Sequence, residues 1–380
     1  MSIEILIDSI TDNTLLNVAE KVLNSERITE EEGIYLFKNA EVSYLGTLAN
    51  YIRERKHGDK TYFNKNFHIE PTNICVFDCK FCAYSKFLRN KDDFDAWELS
   101  EEEIYDAIKG YDGSDITEVH IVGGVHPKMG LDYFKNLIEN IKTLRPDLHV
   151  KAFTAVELDY MARKAKVGYE ECLQILKDAG QGSLPGGGAE IFDKDIREQI
   201  CKDKCTGEQW LEMHEAAHKV GMPSNATILY GHIEEPKHLI DHLNRLRELQ
   251  DKTEGFNAFI PLKYRNGNNQ MSDIGEVSII DDLKMYAIAR IYLDNFNHLK
   301  AYWPMIGRKT TQLLLSFGVN DIDGTVDDST KIYSMAGVEE QKPVMTTDQM
   351  VELITNVGRK PIERDSIYNE VRDYSESQLV

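Results

Sequence analysis

The chain opens on helical periodicity. Leu15, Val18, Ala19 and Val22 form one apolar stripe, and Ile34, Leu36, Phe37 and Ala40 form a second. That spacing places apolar side chains on one face of a helix, so residues 1 to about 60 read as helical. From Phe67 the pattern changes to short apolar runs separated by amphipathic stretches. Strands are predicted at Phe67–Glu70, Val119–Val122, Val150–Thr154, Gly182–Leu184, Ala226–Tyr230 and Phe256–Ile260, with weaker candidates at Leu299–Trp303 and Val319–Ile322. The stretches between them carry helix signals. Ser100 with Glu103 and Thr206 with Gln209 form capping boxes, and Gly110 and Gly221 stand where those helices close. Pro236 suits a first helical position, and a helix after Ser278 carries Met285, Ile288 and Ile291.

Sequential strand–helix units favour parallel strands joined by right-handed crossovers. Six units are clear and eight can be drawn. This predicts an α/β protein with a (β/α) TIM-type barrel, whole or partial; an open doubly wound sheet is the alternative. The chain then divides into a helical N-terminal extension over 1–60, a barrel core over 61–305 and a C-terminal extension over 306–380 that completes or caps the barrel. Barrels place their chemistry at the C-terminal ends of the strands. The unusual residues stand there. A cysteine cluster follows the first strand, Gly123-Gly124-Val125-His126-Pro127 the second and Thr154-Ala155-Val156-Glu157 the third. The fourth leads into Pro185-Gly186-Gly187-Gly188-Ala189-Glu190 and the fifth into Gly231-His232-Ile233-Glu234.

Composition narrows the function. Lysine plus arginine number 44 against 64 aspartate plus glutamate, a net charge of −20. A surface this acidic repels phosphate backbones and anionic lipid, which argues against nucleic-acid and membrane partners. No apolar run nears the ~20 residues needed to cross a bilayer. The acidic start MSIEILIDSI lacks the basic region of a secretory signal, so a soluble cytoplasmic protein is expected. Six cysteines are too few for a disulfide framework in a chain of 380 residues. Three of them, Cys75, Cys79 and Cys82, crowd into a C-x3-C-x2-C string. Structural zinc sites close with four ligands, often as two C-x2-C pairs, and no second pair follows here. Three thiolates on one loop suit an iron–sulfur cubane with one iron left open. Three unrelated thiols, or a zinc loop with a remote fourth ligand, are the plainer readings.

The string Cys75-Val-Phe-Asp-Cys79-Lys-Phe81-Cys82 resembles the signature loop of radical S-adenosylmethionine (SAM) enzymes. The resemblance implies that Cys75, Cys79 and Cys82 hold a [4Fe–4S] cluster, that SAM chelates the open iron through its amino and carboxylate groups, and that Phe81 lies by the adenine. Gly123-Gly124 is similar to the family's glycine pair, whose backbone meets the methionyl amino group; Val125 stands where many members carry an acid. Gly124 is therefore expected to be small so that the ligand can approach. Thr227-Ile-Leu229-Tyr-Gly231-His-Ile-Glu234 resembles the fifth-strand pattern G-x-I-x-G-x-x-E, with threonine and leucine replacing its first glycine and its isoleucine. Glu157, Glu190 and Glu234 are the acids expected on the SAM ribose or on protons, each with a structural role as the alternative.

The resemblance extends beyond the loop. HIEPTNICVFDCKFCAYSK, IVGGVHPKMGLDYF, VKAFTAVE, LPGGGAEIF, SNATILYGHIE, FNAFIPL and VGRKPIERDS run in one order across nearly the whole chain. They resemble the aminodeoxyfutalosine synthase family of the futalosine route to menaquinone. This implies addition of a 5′-deoxyadenosyl radical to 3-[(1-carboxyvinyl)oxy]benzoate, with a low-potential electron donor as partner and no catalytic residue beyond the cluster and SAM. Dehypoxanthine futalosine cyclase and the tyrosine-using deazaflavin synthase subunit share much of the pattern. Pro71-Thr72-Asn73 and the tail Arg359-Lys360-Pro361-Ile362-Glu363-Arg364 favour the first. A non-catalytic iron–sulfur or zinc module is the alternative of another class.

A dianionic substrate inside an acidic chain requires local cations. The candidates are His68, His126 and Arg265, with Lys151 and Arg308 beside them. Other motifs are weaker. His214-Glu215-Ala216-Ala217-His218 matches H-E-x-x-H, but on an outer helix with no clear third ligand, so local packing is expected. Cys172, Cys201 and Cys205 read as buried or incidental thiols. Gly186-Gly187-Gly188 lacks the Lys-Ser/Thr of a P-loop and reads as a tight turn or a backbone nest.

Overall fold

The computed structural model describes residues 3–324, 331–338 and 343–375. Four helices precede the first strand: α1 (Ile3–Ser9), α2 (Asn13–Asn24), α3 (Glu30–Asn39) and α4 (Val42–His57). The two apolar stripes fall on α2 and α3. The Asp12 carboxylate caps α2 by accepting the Thr14 and Leu15 N–H groups at 2.9 Å, and Thr29 with Glu32 boxes the start of α3. These helices do not stand apart. The α3 helix packs on the helix Pro236–Thr253, and α4 on the helix Ile279–Tyr292. Gly33 allows the first approach, since a Cβ there would lie 2.6 Å from Ile240 Cδ1. Arg27 ties the extension down through Asp251 at 2.5 Å and Asp294 at 2.9 Å.

Eleven strands follow among the described residues: β1 (Lys60–Phe63), β2 (Asn66–Ile69), β3 (Glu118–Ile121), β4 (His149–Ala152), β5 (Gln181–Ser183), β6 (Ser224–Tyr230), β7 (Phe256–Lys263), β8 (His298–Ala301), β9 (Asp321–Ile322), β10 (Lys360–Arg364) and β11 (Glu370–Asp373). The runs β2 to β5 and β6 to β9 are parallel ladders, and a bridge between Leu184 and Ser224 joins them. The other seam closes through β1 and β2, which only Asn64 and Lys65 separate. β1 pairs with β9 (Tyr62 opposite Asp321), while β2 pairs with β3 (His68 opposite His120). Taken as one bent strand, they complete an eight-membered parallel barrel. The two weaker strand candidates are its seventh and eighth members, β8 and β9. β10 runs parallel to β1 outside the ring, and β11 pairs antiparallel to β10. Their sequences, Lys-Pro-Ile-Glu-Arg and Glu-Val-Arg-Asp, are charged and carry no strand signature.

The charges of β10 are used inward. Arg364 is fully buried, and its Nε and Nη2 donate to the two Asp321 carboxylate oxygens at 3.0 and 2.8 Å. Tyr368 Oη donates to the same carboxylate at 2.6 Å. Lys300 Nζ lies 3.0 Å from Asp323 and 3.5 Å from Asp321. On the opposite arc Lys151 pairs with Glu118 at 2.6 Å, and Asn64 and Asn66 donate to the other Glu118 oxygen. Removing one partner of such a pair leaves a buried charge. Arg364→Met is expected to destabilise the protein by about 3 kcal/mol in urea unfolding, and adding Asp321→Asn should restore part of that loss.

Candidate active site

A cavity of about 300 Å³ occupies the C-terminal end of the barrel. The cysteine loop forms its upper wall. This loop leaves β2 and is pinned by backbone bonds: Cys75 N–H to Lys86 O at 2.7 Å, Val76 N–H to Val125 O at 3.0 Å and Lys80 N–H to Ile200 O at 2.9 Å. Cys75, Cys79 and Cys82 all line the cavity. Among the described residues no three His, Cys, Asp or Glu side chains close on a single metal ion. Three cysteines in one cavity wall suit a cubane, in which each thiolate takes its own iron. Burial pushes the Cys75 and Cys79 thiols up; at Cys79 the nearby Lys204 ammonium opposes the shift.

The glycine pair serves the loop directly. A Cβ on Gly123 would lie 2.7 Å from Thr72 O, and one on Gly124 would lie 2.3 Å from Ile74 O. The Gly124 N–H donates to Thr72 O at 2.7 Å. The close approach that makes Gly124 small is therefore to the backbone leading into the cysteines, where the sequence suggests a ligand. Glu157 braces the same turn. Its carboxylate accepts from Thr154 N and Oγ1 at 2.7 and 2.8 Å and from Gly123 N at 3.2 Å, and burial pushes its carboxyl up to about 7.

The remaining candidates divide. Phe81, Glu190, His68 and Arg265 line the cavity with the cysteines and the glycine pair; Glu157, Glu234 and His126 do not. Glu234 accepts from Gly231 N and His232 N at 2.5 and 2.9 Å, closing its own turn. His126 faces Glu98 at 2.6 Å. Lys151 is in the wall, whereas Arg308 stacks over Trp303 and donates to Val344 O. Glu190 sits at φ 49° after the glycine turn and pairs with Lys204 at 2.5 Å, and Lys204 Nζ lies 5.2 Å from the Phe81 ring centre.

Sequence reasoning missed Glu118, His120, Lys204, Lys263, Lys300 and Asp323, which also line the cavity. One signal was present. β3 reads Glu-Val-His-Ile, a polar–apolar alternation in a strand with no solvent face. In a closed barrel such alternation marks side chains pointing inward. Lys204 gave no signal among the neighbouring surface lysines.

The tempting motifs resolve as packing. His214 Nδ1 and His218 Nε2 share Ser224 Oγ at 2.7 and 2.8 Å, and His218 Nδ1 meets Thr253 Oγ1 at 2.7 Å. Glu215 pairs with Lys252 and Lys219. Cys172, Cys201 and Cys205 are buried outside the cavity wall, and burial pushes the Cys172 and Cys205 thiols up to about 12.

Residues 69–246 match the Radical SAM superfamily, and residues 253–378 match the CofH/MqnC C-terminal region. The chain is 41% identical to the aminodeoxyfutalosine synthase of Thermus thermophilus, over 96% of this chain and 97% of that one. It is 36% identical to the 5-amino-6-(D-ribitylamino)uracil–L-tyrosine 4-hydroxyphenyl transferase of Methanothermobacter thermautotrophicus, over 92% and 95%. Among solved structures, methylornithine synthase superposes with a TM-score of 0.72 at 16% identity, covering 90% of this chain and 97% of that one.

Two outcomes follow from the loop. Alanine at any one of Cys75, Cys79 or Cys82 should abolish turnover and lower the iron content after reconstitution, whereas the Cys172→Ala/Cys201→Ala/Cys205→Ala triple variant should retain four irons. Gly124→Val should lower iron content as well as SAM affinity, because its side chain meets Ile74 backbone before it meets any ligand; iron counting on a folded variant, judged by circular dichroism, checks this.

Proposed function

The chain belongs to the radical SAM superfamily, in the family that holds aminodeoxyfutalosine synthase, and from that membership we propose the reaction it catalyses. It is a radical SAM enzyme, whose reactive groups are a [4Fe–4S] cluster and SAM. On our reading it joins the 5′-deoxyadenosyl group of SAM to the vinyl carbon of 3-[(1-carboxyvinyl)oxy]benzoate. Rearrangement onto the aromatic ring and loss of a carboxyl group then give 6-amino-6-deoxyfutalosine, methionine and bicarbonate or CO2, a step of menaquinone biosynthesis. An external low-potential donor supplies the electron.

Cys75, Cys79 and Cys82 would hold the cluster. Bound there, it would supply the electron for reductive cleavage of SAM. The chain's own residues act by position. Phe81 offers an aromatic face to the adenine, and Glu190, fixed by Lys204, offers a carboxylate to the ribose hydroxyls. Gly123 and Gly124, braced by Glu157, hold the cysteine loop against the barrel, and Glu234 shapes the turn after β6. Val125, Val156 and Leu262 keep apolar surface against the reacting centre, which excludes water from a radical step.

The observation that carries the substrate assignment is the cation set in the wall. Lys151, Lys263, Lys300 and Arg265 line the cavity of a chain whose net charge is −20. Each is held by a carboxylate: Glu118, Asp282, Asp323 and Glu276 respectively. Their N–H groups are thus oriented before a substrate arrives, an arrangement suited to carboxylates. His68 stands in the same wall and remains a substrate-side candidate, while His126 lies outside it.

Radical addition needs no general base; it needs the vinyl carbon held at the radical. SAM labelled in adenine and ribose should therefore deliver its label to the main product, with one methionine released per adduct, as read by mass spectrometry. Label found only in free 5′-deoxyadenosine, with tyrosine consumed, would reassign the chain to the reaction named for the methanogen relative.

A further inference from the structure

The ion pair of Lys204 with Glu190, at 2.5 Å, shares the cavity wall with the three loop cysteines, and its side chains are only 13% and 9% exposed. Burying two charges is costly unless their geometry is fixed. Here it is fixed from several sides. The Leu229 N–H donates to Glu190 O at 2.8 Å and holds the acid against β6. The Lys80 N–H donates to Ile200 O at 2.9 Å and the Lys204 N–H to Cys201 O at 3.1 Å, so the turn that carries the lysine is joined to the cysteine loop itself. The buried Arg197 then ties the two partners together. Its Nη1 donates to Ala189 O at 2.6 Å and Ile191 O at 3.1 Å, on either side of Glu190, and its Nη2 to Cys205 O, next to Lys204.

The pair turns its positive end to the loop. Lys204 Nζ lies 5.2 Å from the Phe81 ring centre, and Phe81 stands between Cys79 and Cys82. The ammonium opposes the burial shift of the Cys75 and Cys79 thiols, and at Cys79 its pull exceeds the opposing push of Glu190. A charge in a dry wall acts more strongly than one in water. Net charge and surroundings set the potential of an iron–sulfur cluster, so a fixed cation beside it favours the reduced state. The chain as a whole, at a net charge of −20, gives no such help.

Resting on the reading that Cys75, Cys79 and Cys82 hold the cluster, we propose that Lys204 sets its reduction potential: the fixed ammonium raises the potential, and Glu190 limits the rise. The step concerned is the uptake of one electron from the external low-potential donor; no bond breaks and no proton moves. Arg197 contributes by holding the two charges at a constant separation, and the cavity wall contributes by keeping water from screening them.

A redox titration of the reconstituted full-length protein without SAM, followed by electron paramagnetic resonance, tests this. Lys204→Met should disfavour reduction by about tenfold, a fall of about 59 mV for one electron. Lys204→Arg, which keeps the charge, should stay near the wild type. Glu190→Gln should move the potential upward, opposite to Lys204→Met. Iron content should match the wild type in all three. An unchanged potential in Lys204→Met would overturn the proposal, whatever happens to SAM affinity. A fall in Glu190→Gln would overturn it too, because both variants would then act by disturbing the loop and not by charge. So would a fall in Lys204→Met accompanied by iron loss and not restored in Lys204→Arg. A wild type that takes up no [4Fe–4S] cluster would instead overturn the cysteine reading on which the proposal rests.

Discussion

A barrel with carboxylates and ammonium groups inside it can close only if each charge brings its partner. Glu118, Lys151, Lys300, Asp321 and Arg364 are all at most 5% exposed. Removing such groups from water is expensive, and attraction within the barrel offsets that cost only when the geometry is good. The pairs here join different parts of the chain. Arg364 comes from the segment after the last barrel strand, Asp321 from the last barrel strand and Asn64 from the link between β1 and β2. Closure of the barrel, placement of the C-terminal segment and polarity of the cavity floor are thus one problem in electrostatics. Replacing these residues by apolar ones would give a tighter core, but not a cavity lined with charged groups.

The fold was legible wherever a segment buried one face or two. The βα alternation, the capping boxes at Ser100 and Thr206, and the apolar strands all correspond to observed elements. β1 and β10 were not, because their polar residues look like solvent-exposed positions until the partners are known; β11 was not, because it is exposed along its whole length and pairs with β10 alone. The cysteine loop was legible by spacing alone. Glu157 and Glu234 show the opposite case. Each reads equally as a ligand or a local cap, and the caps become visible only in the contacts of Glu157 with Thr154 and of Glu234 with Gly231 and His232. His120 and Lys300 were out of reach for another reason. Their place in the cavity wall depends on which strands face each other across the ring, information held in closure and not in any local window.

The site is assembled from turns that support one another. Glu157 closes its own helix and also reaches the Gly123 N–H; Gly124 lies against Ile74 and sets the path of the chain into Cys75. The first three strand ends therefore share one backbone network. Such a network transmits a misplaced side chain over several residues, because close-packed backbone has little room to yield.

The N-terminal helices carry a consequence for the order of assembly. α1 and α2 pack mainly on their neighbours within the extension, but α3 and α4 find their partners in Pro236–Thr253 and Ile279–Tyr292, some two hundred residues later. During synthesis α3 and α4 emerge without the surface they cover, and their barrel-facing sides stay unsheltered until most of the barrel exists. Contacts this distant in sequence form late and slow folding. The start of the chain is thus among the last parts to settle, and the finished barrel is the template on which it does so.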